Sequence, residues 1–219
     1  KLQITCPDQS CYTYLISDRG AYDTFPLTAG NGSYTLQVLE NVAGDTYTVS
    51  LTQSINVSIE DEFLPFLYPN QYVNFHTDSK AVSKGSDLAK DTYSDLDVVQ
   101  NIYNYVIKNI SYDTEKAQNV SYGYVPDIDD TLSSKKGICF DYAALMTSML
   151  RSQNIPTKLE VGYSGDAYHA WISTYIDDKG WVDDIIQFDG DTWQIMDPTL
   201  AATNDSAAVK KYIGDGSHY

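Results

Sequence analysis

The feature of the sequence that most restricts its fold is a change of hydrophobic pattern near residue 77. Before it, short stretches alternate apolar with polar residues or are rich in β-branched ones, at 33–39 and 46–58. Residues 41–45 have the composition of a turn and would join these two stretches as a hairpin. We therefore predict a small all-β unit at 1–76 and a separate domain at 77–219.

The second part of the chain mixes helical and strand patterns. Ser94 followed by Asp97 is typical of a helix start, and Asn154 with Pro156 is typical of a helix end. In chain order, the pattern predicts a polar transition at 77–95, a helix from 94 to 109, a loop at 111–136, a helix at 138–153, and strands at 157–163, 168–176 and 192–197.

Charge and hydropathy exclude some classes of partner. The chain has 14 basic and 30 acidic residues, a formal net charge of −16, which disfavours binding to the phosphates of a nucleic acid. No apolar run reaches the roughly 18 residues of a membrane-spanning helix. Because the chain starts at Lys1 and lacks a signal-peptide pattern, we expect a mature or trimmed form whose targeting segment is missing.

The three cysteines are an odd number. Cys6 and Cys11 lie close together, and a disulfide between them would suit an exported protein. Two unpaired thiols are the alternative, and the sequence leaves both open. In either case Cys139 stands apart from the pair.

A possible catalytic group is formed by Cys139, His169 and Asp197. Cys139 begins a predicted helix, where free N–H groups favour a thiolate. His169 lies in a predicted strand and Asp197 ends a later one. If these strands are neighbours, the carboxylate can hold the imidazole beside the thiol, as in acyl-transfer enzymes. Taken singly, each residue has an ordinary interpretation: a packed cysteine, a core or surface histidine, and a turn aspartate before Pro198.

Three motifs in order resemble the transglutaminase-like superfamily of cysteine acyltransferases and peptidases. They are GICFDYA at 137–143, HAW at 169–171 and DPT at 197–199. The resemblance covers roughly 80–205 and implies a papain-like α+β domain, with the cysteine helix packed on an antiparallel sheet. It also implies Cys139 as nucleophile, His169 as general base and acid, and Asp197 as the residue that orients His169. Similar bacterial proteins are often exported or anchored at the cell surface.

The resemblance implies acyl transfer on carboxamides of a protein or peptide substrate, through a thioester at Cys139. An amine acceptor would make the chain a transglutaminase, and water would make it a peptidase or amidase with the same triad. A third reading is a non-catalytic surface binding or adhesion module. The tetrahedral intermediate needs donors for its oxyanion. The backbone N–H of Cys139 is one candidate, and Tyr112 or Tyr124 could supply the second.

We expect no metal and no cofactor. Cys139, His169 and Asp197 could ligate zinc in principle, but no C-x-x-C or H-E-x-x-H spacing is present. Two acidic groups, at 60–62 and at 127–130, lack the pattern of a calcium-binding loop and are interpreted as solvated loops.

Overall fold

The computed structural model divides the chain into two compact units, Lys1–Pro65 and Phe66–Tyr219. The residues that it describes are 1–16, 20, 22–164, 167–177, 179–188, 193–195 and 217–218. The predicted boundary, between residues 76 and 77, lies later in the chain than this division. Residues 66–76 group with the second unit because Val73 is part of its core and Arg151 Nη1 donates a hydrogen bond to the carbonyl of Tyr68.

The first unit contains a four-stranded antiparallel sheet. Its strands are β1 Leu2–Thr5, β2 Cys11–Tyr14, β3 Gly32–Ala43 and β4 Thr46–Val57, in the order β2-β1-β3-β4. The predicted hairpin between β3 and β4 is confirmed. Its turn is closed by Asn41, whose side-chain amide donates to the carbonyl of Gly44 at 2.7 Å. Ile4, Tyr14 and Tyr34 are buried, whereas β4 has no buried residue.

The second unit begins with a helical region. A short 3-10 helix, Leu64–Phe66, spans the division between the units; the α-helices are α1 Lys80–Ala89, α2 Asp95–Asn109, α3 Thr114–Asn119, α4 Ile128–Ser134 and α5 Cys139–Arg151. The two predicted helices are confirmed as α2 and α5. At the start of α2, the hydroxyl of Ser94 accepts a hydrogen bond from the backbone of Asp97. Beyond α5, Asn154 adopts the left-handed conformation, φ 63°, which ends the helical path.

A five-stranded antiparallel sheet completes the second unit. Its strands are β7 Thr157–Ser164, β8 Ala167–Ile176, β9 Gly180–Phe188, β10 Trp193–Ile195 and β11 Ser217–His218, in the order β10-β9-β8-β7-β11. Two short strands, β5 Ser111–Tyr112 and β6 Lys136–Gly137, pair in parallel. Helix α5 contacts β7 and β8 as well as α1, α2 and α4, so it lies at the centre of the unit. The predicted α+β fold is confirmed.

Several elements were not predicted. The stretch predicted as a loop, 111–136, contains β5, α3 and α4 and reaches β6, and the predicted polar transition at 77–95 contains α1. Two of the missed elements have separate physical reasons. Helix α1 contacts α5, and its two buried residues, Ala81 and Gly85, are small, so its helical periodicity has few large apolar residues to mark it. A Cβ atom added at Gly85 would lie 3.1 Å from the carbonyl oxygen of Met149, which shows how closely the two helices approach. Strand β9 carries the consecutive residues Asp183 and Asp184, which interrupt its apolar pattern.

Candidate active site

Cys139 is the first residue of α5, as predicted. The chain reaches it through β6, where Tyr112 of β5 is the parallel partner of Gly137. Backbone hydrogen bonds on both sides of that pair fix the approach, with Ser111 N donating to Lys135 O at 2.8 Å and Asp113 N donating to Gly137 O at 2.9 Å. The start of α5 is therefore held by a second segment of chain.

The thiol of Cys139 lies against strand β8, close to His169. The backbone N–H of Ala170, the residue after His169, interacts with the thiol, as does that of Phe140. Burial raises the pKa of the Cys139 thiol, and these two N–H groups oppose that rise without cancelling it. The negative charge of Asp141 raises the pKa further. The expectation that the helix start favours a thiolate is therefore wrong for this structure, because burial outweighs the N–H groups.

His169 is half-buried in β8, opposite Gly162 of β7. Burial lowers the pKa of its imidazole below the ordinary value of 6.5, and no charged group of the described residues contributes to that shift. Burial thus favours the uncharged form of both groups. A neutral imidazole can accept a proton, so His169 is available as a base.

The third predicted site residue, Asp197, lies outside the described residues. The expectation that its strand is a neighbour of β8 is not met by β10, Trp193–Ile195. The unpredicted strand β9 lies between β10 and β8 in the sheet.

A polar cluster beside Cys139 was missed by the sequence analysis. It consists of Lys116, Tyr124 and Asp141, and we call it the Asp141 cluster. The Asp141 carboxylate is fully buried and accepts hydrogen bonds from the Lys116 ammonium at 2.7 Å, the Tyr124 hydroxyl at 2.5 Å and the Ile138 backbone N–H at 2.8 Å. The signal that could have found it is the acidic residue in the first turn of a helix with an apolar sequence.

The cluster corrects one of the two predicted oxyanion donors. The hydroxyl of Tyr124 gives its one proton to Asp141 and accepts a hydrogen bond from Lys116 at 2.6 Å. It therefore has no proton left for an oxyanion at Cys139. Tyr112 is half-buried, and burial followed by the charge of Cys139 raises its pKa, which places its hydroxyl in the surroundings of the thiol. Its role as a donor stays a prediction.

Two aromatic pairs include the residues next to Cys139 and His169 in the sequence. Phe140, next to Cys139, makes an edge contact with Tyr72, with ring centroids 5.4 Å apart. Tyr168, next to His169, makes an edge contact with Tyr163 at 5.2 Å. Tyr163 and Tyr168 remain 65% and 60% exposed, so both present aromatic surface to solvent.

Three other expectations concern charged residues and thiols. Among the described residues, no group of three or more His, Cys, Asp or Glu could hold a metal ion. The acidic group at 127–130 is more ordered than a solvated loop, because Asp127 caps α4 and Asp129 accepts from the first backbone N–H groups of α1. Cys6 and Cys11 are both free thiols, which corresponds to the unpaired alternative.

Membrane-spanning helices are absent from the described residues. None of the helices there is both long enough and apolar enough to cross a bilayer.

Comparison with known proteins identifies the core of the second unit. Residues 83–183 match the transglutaminase-like superfamily. The matched residues include Cys139 and His169 and end before Asp197. The chain is also similar to UPF0252 protein MJ1282 of Methanocaldococcus jannaschii, with 32% identity over 98 residues, which cover 39% of this chain and 28% of the relative.

Two further similarities extend over more of the chain. Kyphoscoliosis peptidase of Mus musculus is 30% identical over 140 residues, which cover 58% of this chain and 19% of the relative. The crystal structure of the periplasmic domain of TgpA from Pseudomonas aeruginosa, bound to ethylmercury, aligns with a TM-score of 0.46 and 15% identity, over 83% of this chain and 87% of that one. The chain spans less than a third of the length of either curated relative, 28% and 19%.

Proposed function

Because residues 83–183 form a transglutaminase-like core, we propose that the chain is an acyl-transfer enzyme that acts on carboxamides of proteins or peptides. The observation that best supports this proposal is the interaction of the Cys139 thiol with the backbone N–H of Ala170. In this interaction the candidate nucleophile, at the start of a helix, lies next to the residue that follows His169.

In the proposed reaction, His169 accepts the thiol proton as the sulfur of Cys139 attacks the carboxamide carbon. A neutral imidazole can take this role, which agrees with the lowered pKa of His169. The new C–S bond forms a tetrahedral intermediate with a negatively charged oxygen. When the C–N bond breaks, His169 returns the proton to the leaving ammonia or amine, and a thioester with Cys139 remains.

A second acceptor then releases the acyl group. A primary amine attacks the thioester carbon, gives a proton to His169, and forms a new amide as the C–S bond breaks and Cys139 recovers its proton. Water in the same position forms a carboxylate. Similarity to a relative named a peptidase supports water, and the superfamily match supports either acceptor.

Asp197 is proposed to orient His169. The support is the sequence resemblance at 197–199, since Asp197 follows the residues matched to the superfamily. An aspartate in this role keeps the imidazole in the tautomer whose free nitrogen faces the thiol.

The test is a reaction with a peptide that contains glutamine, in the presence and absence of a biotinylated primary amine. Mass spectrometry distinguishes the amine adduct, the deamidated glutamine and a cleaved backbone, and ammonia is measured in parallel. Any of these products that disappears in Cys139→Ala supports cysteine-dependent acyl transfer. If no product forms with a set of glutamine peptides and the thiol is unreactive, the chain is a binding module instead.

A further inference from the structure

The Asp141 cluster contains one positive and one negative charge in a site with little water. Lys116 is partly exposed, with 29% of its side chain accessible, whereas Asp141 is at 0%. A buried carboxylate is costly unless it is paired and hydrogen-bonded. Lys116 provides the pairing charge and donates to both other members of the cluster, at 2.7 Å to Asp141 and 2.6 Å to Tyr124.

The position of Lys116 is fixed by its own helix. Asp113 caps α3, and its carboxylate accepts a hydrogen bond from the backbone of Lys116 at 2.9 Å. The ammonium also lies over the ring of Tyr124, 4.4 Å from the centroid. Burial would lower the pKa of Lys116, but the hydrogen bonds to Asp141 and Tyr124 outweigh it and raise that pKa. The ammonium is therefore a permanent charge in this place.

Asp141 has two opposite effects on the nucleophile. By accepting from the Ile138 N–H at 2.8 Å, it holds the turn that begins at Cys139. A negative charge so close also opposes negative charge on the sulfur. The other titratable groups near the thiol are Tyr112, Tyr168 and His169, whose pKa shifts keep all three uncharged at neutral pH. Among the described residues that surround Cys139, Lys116 is the group that can cancel the charge of Asp141.

We propose that Lys116 is a positioning residue for Cys139: it holds the Asp141 carboxylate at the start of α5 and neutralises it, so that the sulfur can carry negative charge during acyl transfer. The proposal rests on the proposed function. Lys116 acts through Asp141 and does not contact the reacting atoms.

The experiment measures the rate of Cys139 alkylation by iodoacetamide as a function of pH in the full chain, with the labelled residue identified by mass spectrometry. In Lys116→Met, the uncompensated carboxylate should move the midpoint of the profile to higher pH, with labelling slower by about tenfold at neutral pH. In Asp141→Asn, the unopposed ammonium should move the midpoint to lower pH and speed up labelling. Lys116→Arg should keep the profile of the unmodified chain.

Lys108→Met, a substitution of an exposed lysine in α2, is the matched control and should change nothing. Opposite shifts in Lys116→Met and Asp141→Asn support the proposal. Shifts of the same sign, or none, overturn it, because a merely structural support would loosen the site in both variants. If Lys116→Met fails to fold, the sign of the shift in Asp141→Asn decides. Alkylation needs no substrate, so it is independent of whether the proposed amide reaction is found.

Discussion

Helix α5 and strand β4 have nearly the same length, 13 and 12 residues, but opposite environments. From Asp141 to Arg151, every residue of α5 is buried, including the polar ones. Strand β4 has no buried residue. The comparison shows that Cys139, the candidate nucleophile, begins the element that the rest of the second unit surrounds.

Two buried polar residues of α5, Ser148 and Arg151, are satisfied by backbone carbonyls, whereas the Thr147 hydroxyl has no hydrogen-bond partner among the described residues. Ser148 donates to the carbonyl of Ala144 at 2.8 Å, and Arg151 donates to the carbonyl of Thr157 at 2.9 Å. Burial lowers the pKa of Arg151 to about 9, so it stays protonated at neutral pH. In β4, threonine and serine side chains face solvent and need no such partners. A substitution in the two elements should therefore have very different consequences.

The largest difference is expected for the same exchange at two cysteines, one in each unit. Cys139→Ser should lower amide turnover by at least about a thousandfold, because serine is a far weaker nucleophile in a site built for sulfur. Cys11→Ser, at an exposed thiol of the first sheet, should stay within about twofold. Turnover assays at equal protein concentration make the comparison. Equal loss in both variants would contradict the assignment of Cys139.

The next largest difference concerns stability. Leu145 in α5 is 0% exposed and Leu51 in β4 is 57% exposed. Leu145→Ala should lower the free energy of unfolding of the second unit by about 2–5 kcal/mol, and Leu51→Ala should lower that of the first by less than about 1 kcal/mol. Urea unfolding can follow the units separately, because the three tryptophans, Trp171, Trp181 and Trp193, all belong to the second, and hydrogen exchange of β3 and β4 reports on the first.

Two glycines that precede these elements sharpen the comparison. A Cβ atom at Gly137, before α5, would lie 2.7 Å from the Cβ of Asp141, whereas at Gly44, before β4, it would meet no atom within 4 Å. Gly44 instead has a left-handed φ of 53°. Gly137→Ala should cost about 1–3 kcal/mol by displacing Asp141, and Gly44→Ala about 1 kcal/mol through backbone strain.

A matched exchange to asparagine distinguishes the two causes, since asparagine tolerates the left-handed region. Gly44→Asn should recover most of the stability that Gly44→Ala loses, and Gly137→Asn should be worse than Gly137→Ala. Thermal unfolding of the four variants is sufficient. Recovery at both positions would mean that space is not the constraint at Gly137.

The smallest effect is expected from mild acid. The pKa of His169 is lowered from 6.5 by burial. As the pH falls through that lowered pKa, the imidazole gains a proton and can no longer accept one from Cys139. The rate constant kcat/KM should therefore stay level near neutral pH and fall, with a midpoint below 6.5, by about tenfold for each further pH unit. A midpoint above 6.5 would show that a negative group stabilises the imidazolium.

The sequence predicted what has a local signal. Helix α2 follows from its cap at Ser94, and the end of α5 follows from Asn154 and Pro156. The motifs around Cys139 and His169 located two members of the candidate site. Helix α1 was missed because its buried residues, Ala81 and Gly85, are small. Strand β9 was missed because two consecutive aspartates interrupt its apolar pattern. Strand β9 lies between β8 and β10 because of how the strands pair, and the sequence of a single segment does not determine that pairing.

The chemistry of the site was predicted less well than its residues. Whether the helix start or burial has the larger effect on the pKa of the thiol depends on how deeply Cys139 lies in the fold. The neighbouring residues in the sequence do not determine that depth. The same applies to Lys116, which precedes Asp141 by 25 residues that include α4 and β6 and meets it only in the folded chain. Tyr124 was predicted as an oxyanion donor because of its hydroxyl, but in the structure that hydroxyl donates its proton to Asp141.

Strand β4 has a consequence for the behaviour of the protein in concentrated solution. Its 12 residues, TYTVSLTQSINV, contain no charge and no proline, and within the described residues it pairs on one side only, with β3. The other side is a sheet edge whose free N–H and C=O groups can serve as a template for another strand. Natural edge strands usually prevent this with a lysine, a proline or a bulge, and of these three β4 has only register shifts against β3, at Val38/Leu39 and at Asn41/Ala43. Colloidal self-association would therefore begin at β4, far along the sequence from the cysteine on which the proposed chemistry depends.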